Sequence, residues 1–301
     1  MARAVAGSTR RPSKAQARRV RRIGAHAPVA GGLAKAALPY IDAIGATALQ
    51  VYVSNPRGWA LSPGDPAQDE AFVQGCAERD VIPYIHASLL VNLGSPTEAT
   101  VERSTETLAH ALRRGAAIGA AGVVFHAGSA VDAEHAPQAY RQLRTALMPL
   151  LDQAAATGGP RLLVEPSAGG GRSMASRVED LADYLDAVDR HPWLGVCLDT
   201  CHAWAAGHDL ATPGGTTEML EALVEACGPD RLRLIHANDS KDPRGSVRDR
   251  HETIGAGMIG IDAFTELLGH PATAGVPAIV ETPSEGSVGH ARDVQRLRDL
   301  L

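Results

Sequence analysis

Eight short apolar runs recur along this 301-residue chain, separated by longer stretches with helical spacing. They are Arg22–His26, Ala46–Val53, Val81–His86, Gly122–His126, Arg161–Glu165, Leu194–Leu198, Leu232–His236 and Pro277–Glu281. Runs this short, apolar on both faces, read as strands of a parallel sheet buried beneath helices. Helices are expected near 33–44, 67–79, 137–156, 177–188 and 216–226, with another after the eighth strand. A further helix starts at the Ser95-Pro96-Thr97-Glu98 signal and runs to about Gly119. Eight βα units predict one closed barrel, an α/β fold of the (β/α)8 TIM-barrel class, over residues 22–301. An open doubly wound sheet is the alternative, because sequence does not count closure.

Hydrophobic residues make up 45% of the chain and aromatic ones only 4%, so the core must be packed from small aliphatic side chains. No apolar segment approaches the roughly 18 to 20 residues that a membrane span needs. The N-terminus lacks the apolar core of a secretory signal. Cys76, Cys197, Cys201 and Cys227 form no CxxC pair, which points to a reduced, cytoplasmic setting. Charge is unevenly placed. Residues 1–22 hold Arg3, Arg10, Arg11, Lys14, Arg18, Arg19, Arg21 and Arg22 with no acid. Setting these eight aside reduces the basic residues from 29 to 21 against 34 acids, a net charge of −13 for the body. Residues 1–21 therefore read as a solvated, disordered basic tail, with an arm for nucleic acid as the functional alternative.

The chemistry lies where the strands end. The residues at or directly after those ends are His26, His86, His126, Glu165, Asp199, His236 and Glu281, and only the second run, ending at Val53 ahead of Asn55, lacks such a group. In a (β/α)8 barrel the C-terminal strand ends face one mouth, so groups far apart in sequence converge there. His202 follows Asp199 by three residues, and the loop after the seventh strand carries Asp249-x-His251. Alternate residues of an extended loop point the same way and can hold one ion; a chance pairing on a charged surface loop is the competing reading. The tally is five histidines (His86, His126, His202, His236, His251) and four carboxylates (Glu165, Asp199, Asp249, Glu281). This mixture suits zinc, with manganese or iron next, better than magnesium or calcium. A catalytic zinc uses about three protein ligands, so nine donors imply two or three ions, a grouping suited to phosphoester hydrolysis. His26 falls outside the set, with a hydrogen-bonding role toward it. His110, His135, His191, His208, His270 and His290 read as surface or helix positions, Trp59 and Trp204 as packing residues, and Cys197 and Cys201 as buried small hydrophobes.

The segments IGAH, VCLDTCHAWAAGHDL, HANDSKD, DRHETIGAGMIG and VETP resemble the endonuclease IV family, the zinc-dependent apurinic/apyrimidinic endonucleases of base-excision repair. The likeness runs from Arg22 to the C-terminus and is most specific over 196–257. It implies three zinc ions, with manganese an allowed occupant of one site, and hydrolysis of the DNA backbone 5′ to an abasic site, leaving a 3′-hydroxyl. On this resemblance His86 and His126 hold the first zinc, and Glu165 bridges it to the second. Asp199, His236 and Glu281 complete the second, while His202, Asp249 and His251 hold the third. Glu281 and Glu165 are the catalytic carboxylates, with Glu281 orienting the attacking water. Arg57, Leu89 and Leu90 match the DNA-wedge positions. The implied partner is duplex DNA containing abasic sites, met by a monomer without a membrane. Leu89 replaces the family's usual Tyr, Ala87 a common acid and Pro166 the usual Asn; these departures bear on substrate recognition. Two further readings stand beside it: a divalent-metal sugar isomerase or epimerase on the related barrel, and a DNA- or metal-binding protein without hydrolysis.

Overall fold

Each of the eight apolar runs forms a strand. The computed structural model describes residues 21–301; the basic segment 1–20 lies outside the described residues. The barrel strands are β1 (Ile23–His26), β2 (Ala48–Val51), β3 (Ile82–His86), β4 (Gly122–His126), β5 (Arg161–Glu165), β6 (Leu194–Asp199) and β7 (Leu232–His236). After a two-stranded antiparallel ribbon, β8 (Asp239–Ser240) with β9 (His251–Glu252), the eighth barrel strand is β10 (Ala278–Val280). All barrel pairings are parallel, and the order β1-β10-β7-β6-β5-β4-β3-β2 closes on itself. This is the closed TIM barrel, not the open sheet.

The helices are α1 (Leu33–Ile44), α2 (Pro66–Glu78), α3 (Glu98–Ala117), α4 (Ala136–Thr157), α5 (Leu181–Asp186), α6 (Thr200–Ala205), α7 (Gly215–Cys227), α8 (Ile261–Gly269) and α9 (Val288–Asp299). Local signals set their ends. The Asp65 carboxylate accepts from the Ala67 and Gln68 amides to start α2, with Pro66 in the first turn, where its missing N–H costs nothing. Two helices, α6 and α8, are absent from the sequence reading. Six and nine residues give too few turns for an apolar period to register. The second strand is shorter than expected: pairing stops at Val51 and the chain turns out before Val53.

The barrel interior is filled from the N-terminal end by a layer of Ala48, Tyr84, Val124, Leu163, Cys197, Leu234 and Ile279, all buried. Side chains alternate across a strand, so the next inward position lies two residues on. That rule takes each member of the layer to Gln50, His86, His126, Glu165, Asp199, His236 and Glu281. The fold thus stacks polar groups directly upon an apolar plug. At the other end the Arg21 guanidinium is buried and donates to the carbonyls of Val276 and Leu268 and to Thr273 Oγ1. The last residue of the expected tail, Arg21, therefore belongs to the barrel floor and not to the tail. Among the described residues no helix is long and apolar enough to cross a membrane.

Candidate metal centre

Glu165, at the end of β5 and 1% exposed, sits at the middle of the mouth with its two oxygens facing opposite ways. Oε2 lies 3.3 Å from His86 Nε2 and 3.7 Å from His126 Nε2. Oε1 lies 3.0 Å from His236 Nδ1 and 3.3 Å from His202 Nδ1. Asp199 ends β6 and also caps α6, its Oδ1 accepting from the His202 amide at 3.0 Å. The capping role and the donor role therefore belong to one carboxylate. Its Oδ2 lies 3.6 Å from His251 Nε2 and 3.8 Å from His236 Nδ1. Glu281 Oε2 is 3.4 Å from His236 Nδ1. The third group closes the ring: His202 Nε2 is 3.3 Å from Asp249 Oδ2, and Asp249 Oδ1 is 2.9 Å from His251 Nε2. All nine sequence-predicted donors are thus brought together. They surround a cavity of about 290 Å³ whose wall includes Leu89, with Asp199 and His236 set behind the donors that line it.

The electrostatics follow from crowding. The four carboxylates lie within ion-pair distance of imidazoles only; among the described residues no Lys or Arg pairs with them. Burial alone would push Glu165 up, but His236 and the bonds from His202, His236 and His86 hold it well below the usual carboxylate range. Asp199 goes the other way, because burial outweighs its imidazole neighbours. Burial pulls His126 down to about 4. His251 rises to about 9, the Asp249 and Asp199 carboxylates beside it overcoming its burial.

This donor set fits a group of divalent cations. His251 Nε2 is buried and makes no hydrogen bond, although two carboxylates approach it. A ring nitrogen left in that state suits a lone pair aimed at an ion. Triads with donor atoms within 4.8 Å of one another include His86-His126-Glu165 and His202-Asp249-His251. Buried carboxylates with no Lys or Arg beside them favour such a counter-charge, and the imidazoles can yield their protons to it.

A family model described as a xylose isomerase-like TIM barrel matches residues 38–300. A protein named probable endonuclease 4 from Streptomyces coelicolor is 55% identical over 278 residues, covering 92% of this chain and 94% of that one. The chain belongs to the endonuclease IV family. A probable endonuclease 4 from Chlorobium luteolum is 36% identical over 93% of this chain and all of its own. The crystal structure of endonuclease IV from Thermus thermophilus superposes with a TM-score of 0.80 at 34% identity, covering 93% of this chain and 100% of that one. A D-tagatose 3-epimerase-like protein, 17% identical with a TM-score of 0.68, shares the fold.

Several groups around the donors of this endonuclease IV family member escape sequence reasoning. Gln50 is fully buried and touches both His236 and Glu281. Asn238 donates to Asp199 Oδ2 at 2.7 Å and accepts from the Glu281 amide at 2.8 Å. Tyr52 packs between the His26 and His86 rings, at 4.4 and 5.6 Å between centroids. Gln50 has a sequence signal, since apolar-x-polar recurs as ALQ, YIH, VFH, LVE, CLD, LIH and IVE. His26 bonds Glu281 Oε1 at 3.2 Å, as expected of it. At the rim, Arg57, Leu89 and Leu90 are exposed and adjacent, because the Pro56 carbonyl accepts from the Leu89 amide and from Ser88 Oγ. His208 differs from expectation: it is buried off any helix and accepts from the Val178 amide.

Proposed function

We propose that this chain is a zinc-dependent endonuclease that hydrolyses the DNA phosphodiester 5′ to abasic sites, leaving a 3′-hydroxyl, as a cytoplasmic monomer. The observation that carries the reading is a ring of four carboxylates, with Glu165 and Asp199 fully buried, Glu281 half-buried and Asp249 at the open rim, within ion-pair distance of imidazoles only, in a chain 55% identical to a probable endonuclease 4. The cage has three groups of donors, and three zinc ions are the loading we assign. Bound there, the ions supply Lewis acidity toward phosphate oxygens and a water that ionises near neutral pH.

The chain's own residues divide the remaining work. Glu165 presents one oxygen to the His86 and His126 side and one to the His236 and His202 side, tying the halves of the cage together. Glu281 keeps Oε2 toward the cage and orients the attacking water there. Asp199 couples the cage to α6 through its capping oxygen. Exposed Leu89 and Leu90, with Arg57 beside them, fill the gap in a duplex from which a nucleotide has been turned out. A nucleotide without a base gives up little stacking on leaving the helix, so the wedge favours abasic sites. The sugar-epimerase alternative has only the fold in its favour, and the group His202, Asp249 and His251 exceeds what a one- or two-ion site needs.

The test is incision of a duplex carrying a tetrahydrofuran abasic analogue, beside isomerisation of a ketose. Incision is expected, lost on prolonged chelation, recovered with zinc, and reduced on the order of 100-fold or more in His202→Ala, as for the loss of a metal ligand. Zinc-loaded protein that cuts no faster than the uncatalysed background would defeat the proposal.

A further inference from the structure

The buried Gln50 amide touches two members of the cage at once. Its Nε2 donates to Glu281 Oε1 at 2.7 Å, and its Oε1 lies 2.9 Å from His236 Nε2. Turning the amide over would set two oxygens 2.7 Å apart beside Glu281, so the orientation is fixed. His236 must then carry its hydrogen on Nε2, as donor to Gln50. Nδ1, which faces Glu165, Glu281 and Asp199 at 3.0, 3.4 and 3.8 Å, is then the nitrogen left for a cation, whose arrival would displace any hydrogen it carries. Glu281 is sorted in the same way. Oε1 receives Gln50 and lies 3.2 Å from His26 Nδ1, itself 3.0 Å from Gln50 Nε2, while Oε2 is the oxygen turned to His236 and the cage.

We infer that Gln50 is a positioning residue that selects, through one amide, which nitrogen of His236 and which oxygen of Glu281 are offered to a cation. The inference rests on the metal-centre reading above and extends it to a residue outside the nine donors. A partner hydrogen-bonded to the far side of a ligating imidazole fixes its tautomer, and losing one typically costs about 10–100-fold in metal affinity. Gln50 serves a carboxylate as well, so its loss disturbs two donors of one position, that between Glu165, Asp199, His236 and Glu281.

The experiment reads metal, not turnover. Wild-type protein, Gln50→Leu and Gln50→Glu are stripped with chelator and reloaded with Co2+. The ions retained against a competing chelator are counted, and the d–d absorption is recorded between pH 6 and 8. Gln50→Leu should hold one ion about 10–100-fold more weakly, with a changed d–d band, while the ions at the other donors stay. Gln50→Glu keeps an oxygen for His236 Nε2 but has no amide hydrogen for Glu281 Oε1, so it should also hold that ion more weakly than the wild type. A residue that merely fills space would leave both variants with the wild-type retention and spectrum. Gln50→Leu or Gln50→Glu matching the wild type in retention and spectrum overturns the inference. A wild type that holds no Co2+ defeats the metal-centre reading itself, and the inference with it.

Discussion

Two imidazoles of the cage, His126 and His251, meet a cation in opposite states. His126 is lowered to about 4 by burial and is neutral at pH 7, its lone pair ready. His251 is raised to about 9 against its burial by Asp249 and Asp199, so in the metal-free cage it carries a proton that an ion must expel. The sign of the stability effect follows. The folded value lies above the ordinary histidine value of about 6.5, so the contribution to the metal-free fold is complete below that pH and is lost as pH rises through about 9. Melting of chelated protein should therefore fall between pH 7 and 9.5, while zinc-loaded protein, with that proton already gone, should not lose stability from this source. Parallel melts that decline equally would contradict this account of His251.

Among the elements, the ribbon of β8 and β9 does the most with the fewest residues. The Asp239 carboxylate, fully buried in β8, accepts from the backbone amides of Ser240, Gly255, Gly257, Ile259 and Gly260 at 2.8 to 3.4 Å. Four of these N–H groups, those of Gly255, Gly257, Ile259 and Gly260, fold the segment after β9 around one side chain, and β9 carries His251. Gly257 must be glycine here, since a Cβ would lie 2.4 Å from the Ser240 carbonyl oxygen. Replacing Asp239 with Asn puts an amide nitrogen among donors and removes the charge, which should cost about 2–4 kcal/mol. Thermal melts would measure that loss, and incision should fall with it as Asp249 and His251 lose their support. Sequence showed the two donors of this loop through their D-x-H spacing, but not the residue that folds it. Asp239 reaches groups up to 21 positions away, and no local period marks such contacts.

At the scale of the whole molecule, the donors come from every βα unit except the first two, so a cation bound among them ties most of the barrel together. Each ion present at about a thousandfold excess over its dissociation constant adds about 4 kcal/mol to the stability of the fold. Chelation should accordingly lower the melting temperature in one cooperative transition; a melt unmoved by chelator and zinc would show that the cage is not holding ions. Most of this architecture was legible in advance, because parallel strands buried on both faces leave apolar runs and the barrel gathers their polar last residues at one mouth. Gln50 was hidden because Val51, Tyr52 and Val53 prolong the apolar run past the true end of β2; counting by twos from Ala48 would have exposed it. The rim holds a different lesson. One carbonyl, that of Pro56, receives both the Leu89 amide and the Ser88 hydroxyl, so the loops that present Arg57 and the two leucines are sewn to each other before they meet any duplex. Transplanting either loop alone from a relative would unpick that seam. Under the proposed function, lesion preference would therefore reside in a matched pair of loops, and engineering it means exchanging both together.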